Sequence, residues 1–153
     1  MIALMNGGNC SDLAIRRALA HSTLLSADVA AAFDPNYPSV GDNANFAAIG
    51  QGIAMVKYTG SRGKSGANDA AAELVGKVRK LFNDHGVVYQ TSELGKVDQG
   101  GGGTIAYIMA LYGMNVIDCG VAVLSMHAPW EIVSKADVYM TSRAYREFFV
   151  NYR

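Results

Sequence analysis

At 153 residues the chain is long enough to bury a core, and 50% hydrophobic against 17% charged is an ordinary globular balance. Thirteen basic and thirteen acidic residues cancel to a formal net charge of zero, so bulk electrostatics give no reason to expect nucleic acid or an anionic membrane as a partner. No apolar run reaches transmembrane length, and the opening "MIALMNGGNC" has a short apolar stretch with no basic flank, which is not a secretory signal. Cys10 and Cys119 fit neither a zinc ribbon nor a redox pair; reduced thiols in a cytoplasmic protein are the expectation.

In chain order, Ser11 is a good N-cap for a helix in which Ile15, Ala18 and Leu19 share a face and Arg16 and Arg17 point away. "LLSADVAAAF" reads as a buried strand. "DPNYPSVGDNANF" is turn chemistry, opened by Asp34 and Pro35. "GIAMVKY" reads as a second strand and "TGSRGKSGAND" as a long polar, basic loop. Asn68 is placed to cap the next helix, whose apolar stripe is Leu74, Val75, Val78, Leu81 and Phe82. Glu73 and Lys77 pair on its other face, and Gly86 ends it. "VVYQT" is a third strand. Four glycines then precede a helix marked by Ile105, Ile108, Met109 and Tyr112 and ended by Gly113. "NVIDCGVAVLSM" is one strand or two short ones, and Pro129 suits the first turn of a last helix running towards Phe149. Strands alternating with amphipathic helices of ten residues or more predict one α/β domain over 1–153, with helices packed on a central sheet.

Three features carry candidate chemistry. The glycine run invites a phosphate-loop reading, but Thr104 follows Gly103 directly and no lysine is present, as a Walker loop requires. A dinucleotide fingerprint needs G-x-G-x-x-G spacing, which four consecutive glycines satisfy badly, although Asp118 lies at a suitable distance. A tight turn, or a bare backbone wall lining a cleft, are the other readings. His127 sits between an apolar strand and Pro129, where sites are commonly built. Asp28 lies inside an apolar run, where a carboxylate costs several kcal/mol of desolvation unless it is paired or binds a metal. A catalytic zinc takes three protein ligands and a water. His21, His85, Asp98 and Asp118 are further donors, yet none shows H-E-x-x-H spacing. The residues by themselves stop at an α/β domain with candidate metal donors.

The segments "LSADVAAAFDPNYP", "KYTGSRGKSGANDA", "ELGKVDQGGGGTIAYI" and "VIDCGVAVLSMHAPWE" resemble, in order, the bacterial branch of the aspartyl aminopeptidase (aminopeptidase I) family of dinuclear zinc exopeptidases. The likeness runs from about Ser11 to Phe149. Family members are much longer, and this chain resembles their C-terminal part. The resemblance implies a three-layer helix–sheet–helix fold of the zinc exopeptidase type. It also implies two zinc ions held by a histidine, a bridging aspartate, a glutamate, a second aspartate and a second histidine. The second aspartate falls on Asp28 and the second histidine on His127, one for each zinc. The other ligands and the general-base glutamate belong to upstream segments, so the resemblance places no catalytic base in this chain.

By the same resemblance Lys57 lies near the substrate's first side chain, and Gly101, Gly102, Gly103 and Thr104 form a substrate-cleft loop. Ala31 stands where some eukaryotic members have a histidine. Glu131 either supports His127 or caps the last helix, with the cap the preferred reading. The expectation is a zinc aminopeptidase acting on peptides, whose active site needs a missing upstream half, with a homo-oligomer as its assembly. The competing expectation is a non-catalytic folded fragment or remnant that binds a partner half. A nucleotide-binding module rests on the glycines alone.

Overall fold

The computed structural model describes residues 2–5, 7–8, 10–61, 65–96 and 103–153. A short helix, α1 (Ile2–Met5), precedes α2 (Asp12–Ala20), whose first turn is closed by the Ser11 hydroxyl accepting the Ala14 N–H at 3.2 Å. The predicted buried strand is two: β1 (Thr23–Ser26) and β2 (Ala30–Ala31), broken at Asp28. Asp34 opens the predicted turn, its Oδ1 accepting the Asn36 N–H. β3 (Ile53–Val56) is buried on both faces, as its uninterrupted apolar run requires. The segment read as a polar loop is instead a hairpin of β4 (Tyr58–Ser61) and β5 (Ser65–Asp69). Its glycine-rich composition hid the antiparallel pairing, which its neighbours stabilise.

α3 (Ala72–Asp84) buries Leu74, Val78, Leu81 and Phe82 of the predicted stripe, Val75 being half-buried, and Gly86 follows its end with φ of 64°. Asn68 does not cap it: Ala71 holds the N-cap position, and the buried Asn68 amide donates to the Val116 carbonyl at 3.0 Å. β6 is Tyr89–Ser92. α4 (Ala106–Ala110) is a single short turn of helix, and Ile105, Ile108 and Tyr112 of its expected apolar stripe are exposed. β7 (Asn115–Gly120) and β8 (Ala122–Leu124) follow. Pro129 starts no helix; β9 (Ile132–Val133) intervenes, and α5 (Lys135–Asn151) begins after the N-cap Ser134.

The main sheet has the order β1-β7-β3-β6, with β1 and β7 parallel, β7 and β3 antiparallel, and β3 and β6 parallel. A second sheet, β2-β8-β9, continues the first. The pairings Thr23↔Asn115 and Ala30↔Ala122 keep the same offset, so β1–β2 and β7–β8 are one parallel ribbon whose register survives the interruption. One face carries Leu25, Ile53, Met55, Ile117 and Cys119 and is covered by α3 and α5. On the other face, Ala54, Val56 and Ala122 form a core of small residues with Ala30, Ala32 and Ala47. There α4 packs on β7 and on the β4–β5 hairpin. Helices thus lie on both faces of the sheet, the second layer reduced to α4.

Candidate metal centre

The ribbon explains how Asp28 is presented. Its register sets Asp28 opposite Gly120, and a β-carbon on Gly120 would lie 1.8 Å from the Asp28 carbonyl oxygen. The two backbones touch, so only glycine fits. Asp28 is half-buried, and its Oδ1 accepts the N–H of Val29 at 3.0 Å. That local bond holds the carboxylate at the break and leaves Oδ2 as an available donor to a cation. A single local bond of this kind suits a carboxylate kept for a ligand better than one spent on core structure.

His127 hangs from the other half of the same ribbon, three residues past the end of β8. It is exposed and has a positive φ of 66°. Its backbone N–H donates to Glu131 Oε1 at 2.6 Å. Glu131 therefore neither caps the last helix, which Ser134 caps, nor touches the imidazole ring; it holds the histidine's backbone.

Two residues before Gly120 on β7 lies a group that sequence reasoning named only as a spare donor. Asp118 is buried, and Thr104 Oγ1 donates to its Oδ2 at 2.6 Å while accepting the Ala106 N–H at 3.2 Å. Burial pushes the Asp118 carboxyl above the usual carboxylate range; the hydroxyls of Ser26 and Thr104 pull it back down, and Asp28 adds to the upward push. Ser26, its cross-strand neighbour, is near enough to favour the charge but not placed to hydrogen-bond. Ser26 Oγ and Asp118 Oδ1 both lack a hydrogen-bond partner among the described residues. Asp118 thus ties the end of the glycine run to the strand beside Asp28. The signal was a lone acid in an apolar strand, the same signal that marked Asp28.

The remaining candidates are distributed differently. Thr104 is buried with its hydroxyl engaged by Asp118, so its contribution to a cleft is to fix the loop's end. Gly103 is exposed, and a β-carbon there would meet the Gly66 carbonyl at an ordinary 3.5 Å, so packing alone does not demand glycine. Gly101, Gly102 and Asp98 lie outside the described residues. Lys57 pairs with Asp69 and lines a depression of about 230 Å³ with Met55, Val75, Thr91 and Glu93, on the α3 side of the sheet. Burial raises the Glu93 carboxyl, opposed by Lys57. His21 is engaged with the Arg17 carbonyl and His85 with Glu147.

Asp28 and His127 supply a carboxylate oxygen and an imidazole, both ordinary zinc donors. No group of three or more His, Cys, Asp or Glu able to hold a metal ion occurs among the described residues. By donor type the two residues fit zinc.

Residues 2–149 match the family model described as aminopeptidase I zinc metalloprotease (M18). The chain is 60% identical over 144 residues to a probable M18 family aminopeptidase 1 of Clostridium acetobutylicum, covering 94% of this chain and 31% of the relative. The crystal structure of aminopeptidase I from that organism superposes with a TM-score of 0.87 at 59% identity, over 95% of this chain and 31% of that one. The M18 aminopeptidase of Thermotoga maritima gives 0.88 at 50% identity, over 94% and 32%. At 24% identity, the S. cerevisiae mApe1 dodecamer shares the fold with a TM-score of 0.72, over 98% of this chain and 32% of that one. The chain spans about a third of the length of the curated relatives it matches. With its mixed sheet, its helices on both faces and these matches, the chain belongs to the aminopeptidase I zinc metalloprotease (M18) family and represents its C-terminal region.

Proposed function

We propose that this chain is the C-terminal share of a zinc-dependent aminopeptidase catalytic domain that releases N-terminal amino acids from peptides. The observation that carries the reading is the ribbon: Asp28 at its break and His127 beyond its end are presented by two adjacent parallel strands. In this reading Asp28 and His127 each donate to one of two zinc ions. Zinc, when bound, supplies Lewis-acid polarisation of a scissile carbonyl and activation of water. The chain's own part is to hold those two donors, to pin the glycine loop through Thr104 and Asp118, and to offer Lys57 to the first side chain of the substrate. Gly101 to Gly103 would line the cleft as bare backbone. The general base and the remaining ligands are assigned to an upstream half of the domain.

Support for a partner half comes from uncovered apolar surface. Leu111, Trp130 and Ile132 are exposed on the α4 and β8–β9 side, and Phe149 flanks the open edge of β1. Surfaces of this kind mark association sites. Self-association is a second use for them, in keeping with the dodecamer of the yeast relative. The absence of a three-donor group among the described residues favours the companion reading for the polypeptide alone: a folded, non-catalytic module that needs its partner half.

The test is zinc content and aminopeptidase turnover, measured for the chain alone and after co-expression with the upstream two-thirds of the C. acetobutylicum relative. The chain alone should retain well under two zinc ions and show no turnover. The pair should hydrolyse peptides, and Asp28→Ala or His127→Ala should each abolish this. Stoichiometric tight zinc with turnover in the chain alone would overturn the partial-site reading. Turnover of the pair that survives both substitutions would overturn the site assignment.

A further inference from the structure

The β8–β9 hairpin carries two residues in backbone conformations that usually select glycine. Ser125 and His127 have φ of 57° and 66°, in the left-handed region disfavoured by the β-carbon. The Ala128 N–H donates to the Ser125 carbonyl at 3.0 Å, which makes 125–128 a β-turn with His127 in its third position. A positive φ there ordinarily calls for glycine or asparagine. That turn's own hydrogen bond leaves the His127 N–H unused. Glu131, on the returning side of the loop, takes it at 2.6 Å, a short bond of the charge-assisted kind.

We propose that Glu131 is the positioning residue for His127: its carboxylate grips the backbone N–H, holds the left-handed turn, and so presents the imidazole towards a divalent cation. The proposal rests on the reading of His127 as a metal donor and adds how that donor is aimed. A histidine at a position where glycine would be unstrained is a local cost that persists only when the surroundings fix it. Glu131 is the group that fixes it. The carboxylate engages the main chain, and among the described residues neither ring nitrogen has a hydrogen-bond partner, which leaves the ring for a ligand. This differs from the usual arrangement, in which a carboxylate orients a metal-binding histidine through its second ring nitrogen. Here orientation is set one step earlier, at the backbone. The negative charge of Glu131 also stays within the same loop, where it favours a bound cation.

The experiment uses the full chain, labelled with nitrogen-15, as wild type, Glu131→Ala and Glu131→Gln. In Glu131→Ala the His127 amide should exchange with solvent about tenfold faster, and its proton resonance should move upfield, with the amides of β7 unchanged. Glu131→Gln keeps an acceptor oxygen and should recover part of the protection. Zinc added to each protein and followed at the His127 ring nitrogens should bind several-fold more weakly in Glu131→Ala, with partial rescue in Glu131→Gln. An unchanged His127 amide in Glu131→Ala would overturn the tether. Wild-type ring nitrogens that ignore zinc while the amide responds as described would overturn the metal-donor reading and leave the tether standing. A third variant, His127→Gly, should fold with equal or higher stability because glycine relieves the left-handed strain; a marked loss of stability there would overturn the strain premise.

Discussion

The two faces of the sheet are built from the same strands and reach different states. On one, α3 and α5 cover Ile53, Met55, Ile117 and Cys119 with Val78, Phe82 and Ala144, and the cluster is fully buried. Tyr145 reaches across it to donate its hydroxyl to the Cys119 carbonyl at 2.7 Å. On the other, the strands offer alanines, Val56 and the buried carboxylate of Asp118, while Leu111, Trp130 and Ile132 stand exposed around them. The first face is stabilised by its own residues. Among the described residues, the second keeps Ser26 Oγ and Asp118 Oδ1 without hydrogen-bond partners, as α5 on the first keeps Thr141 Oγ1. Bulky aliphatic packing fixes the strands on the first face, whereas the second carries small residues and the buried carboxylate of Asp118.

That contrast can be broken experimentally. The largest effect should come from the closed face: Phe82→Ala should lose about 3–5 kcal/mol of stability in urea unfolding. A loss under 1 kcal/mol would show that α3 is not the anchor of the sheet. Gly120→Ala places a β-carbon against the Asp28 carbonyl; about 1–3 kcal/mol should be lost through forced backbone displacement, with chemical-shift changes concentrated at Asp28 and Val29. Unperturbed shifts there would refute the shared ribbon. Thr104→Val removes the partner of a buried carboxylate and should cost about 1–3 kcal/mol, whereas Thr104→Ser should restore most of it.

A pH dependence sharpens the closed face. Burial, with smaller contributions from nearby acidic groups, pushes the Tyr145 phenol from 10.0 up to about 12. The folded state therefore holds this proton more tightly than the unfolded chain. Its contribution is fully present below pH 10 and is lost as pH rises towards 12. Urea midpoints should fall across that window, and Tyr145→Phe should flatten the fall; an equal slope in both proteins would refute the assignment. The smallest effect on stability belongs to the open face. Trp130→Ser, at a residue 85% exposed, should change stability by no more than about 0.5 kcal/mol. It should nonetheless reduce self-association in light scattering, and an unchanged scattering profile would remove Trp130 from any contact surface.

Much of the closed face was legible in the sequence, because it is written in periodicity. The stripe through α3 and the unbroken apolar run of β3 each follow from spacing along one segment. The open face was less legible. Asn68 reads as a helix cap and is a buried donor to Val116; "TGSRGKSGAND" reads as a loop and is a hairpin; Pro129 reads as a helix start and precedes β9. In each case a residue with good local turn or cap chemistry is claimed by a partner far away in sequence, and local propensity is overridden by tertiary pairing.

The candidate site divides in the same way. Asp28 and His127 could be singled out from residue type, surroundings and family resemblance. That Asp28 interrupts a ribbon opposite Gly120, that Asp118 anchors Thr104, and that Glu131 holds the main chain at His127 could not.

The sequence by itself determined most of the alternation of helices and strands, the α3 stripe that enters the main core, and the family to which the motifs belong, because these depend on spacing along one segment at a time. Only the tertiary structure decided which acids share a face, which glycine must remain bare and which carboxylate meets which N–H. Those contacts join residues many positions apart, and their energies depend on burial and distance that no single segment contains.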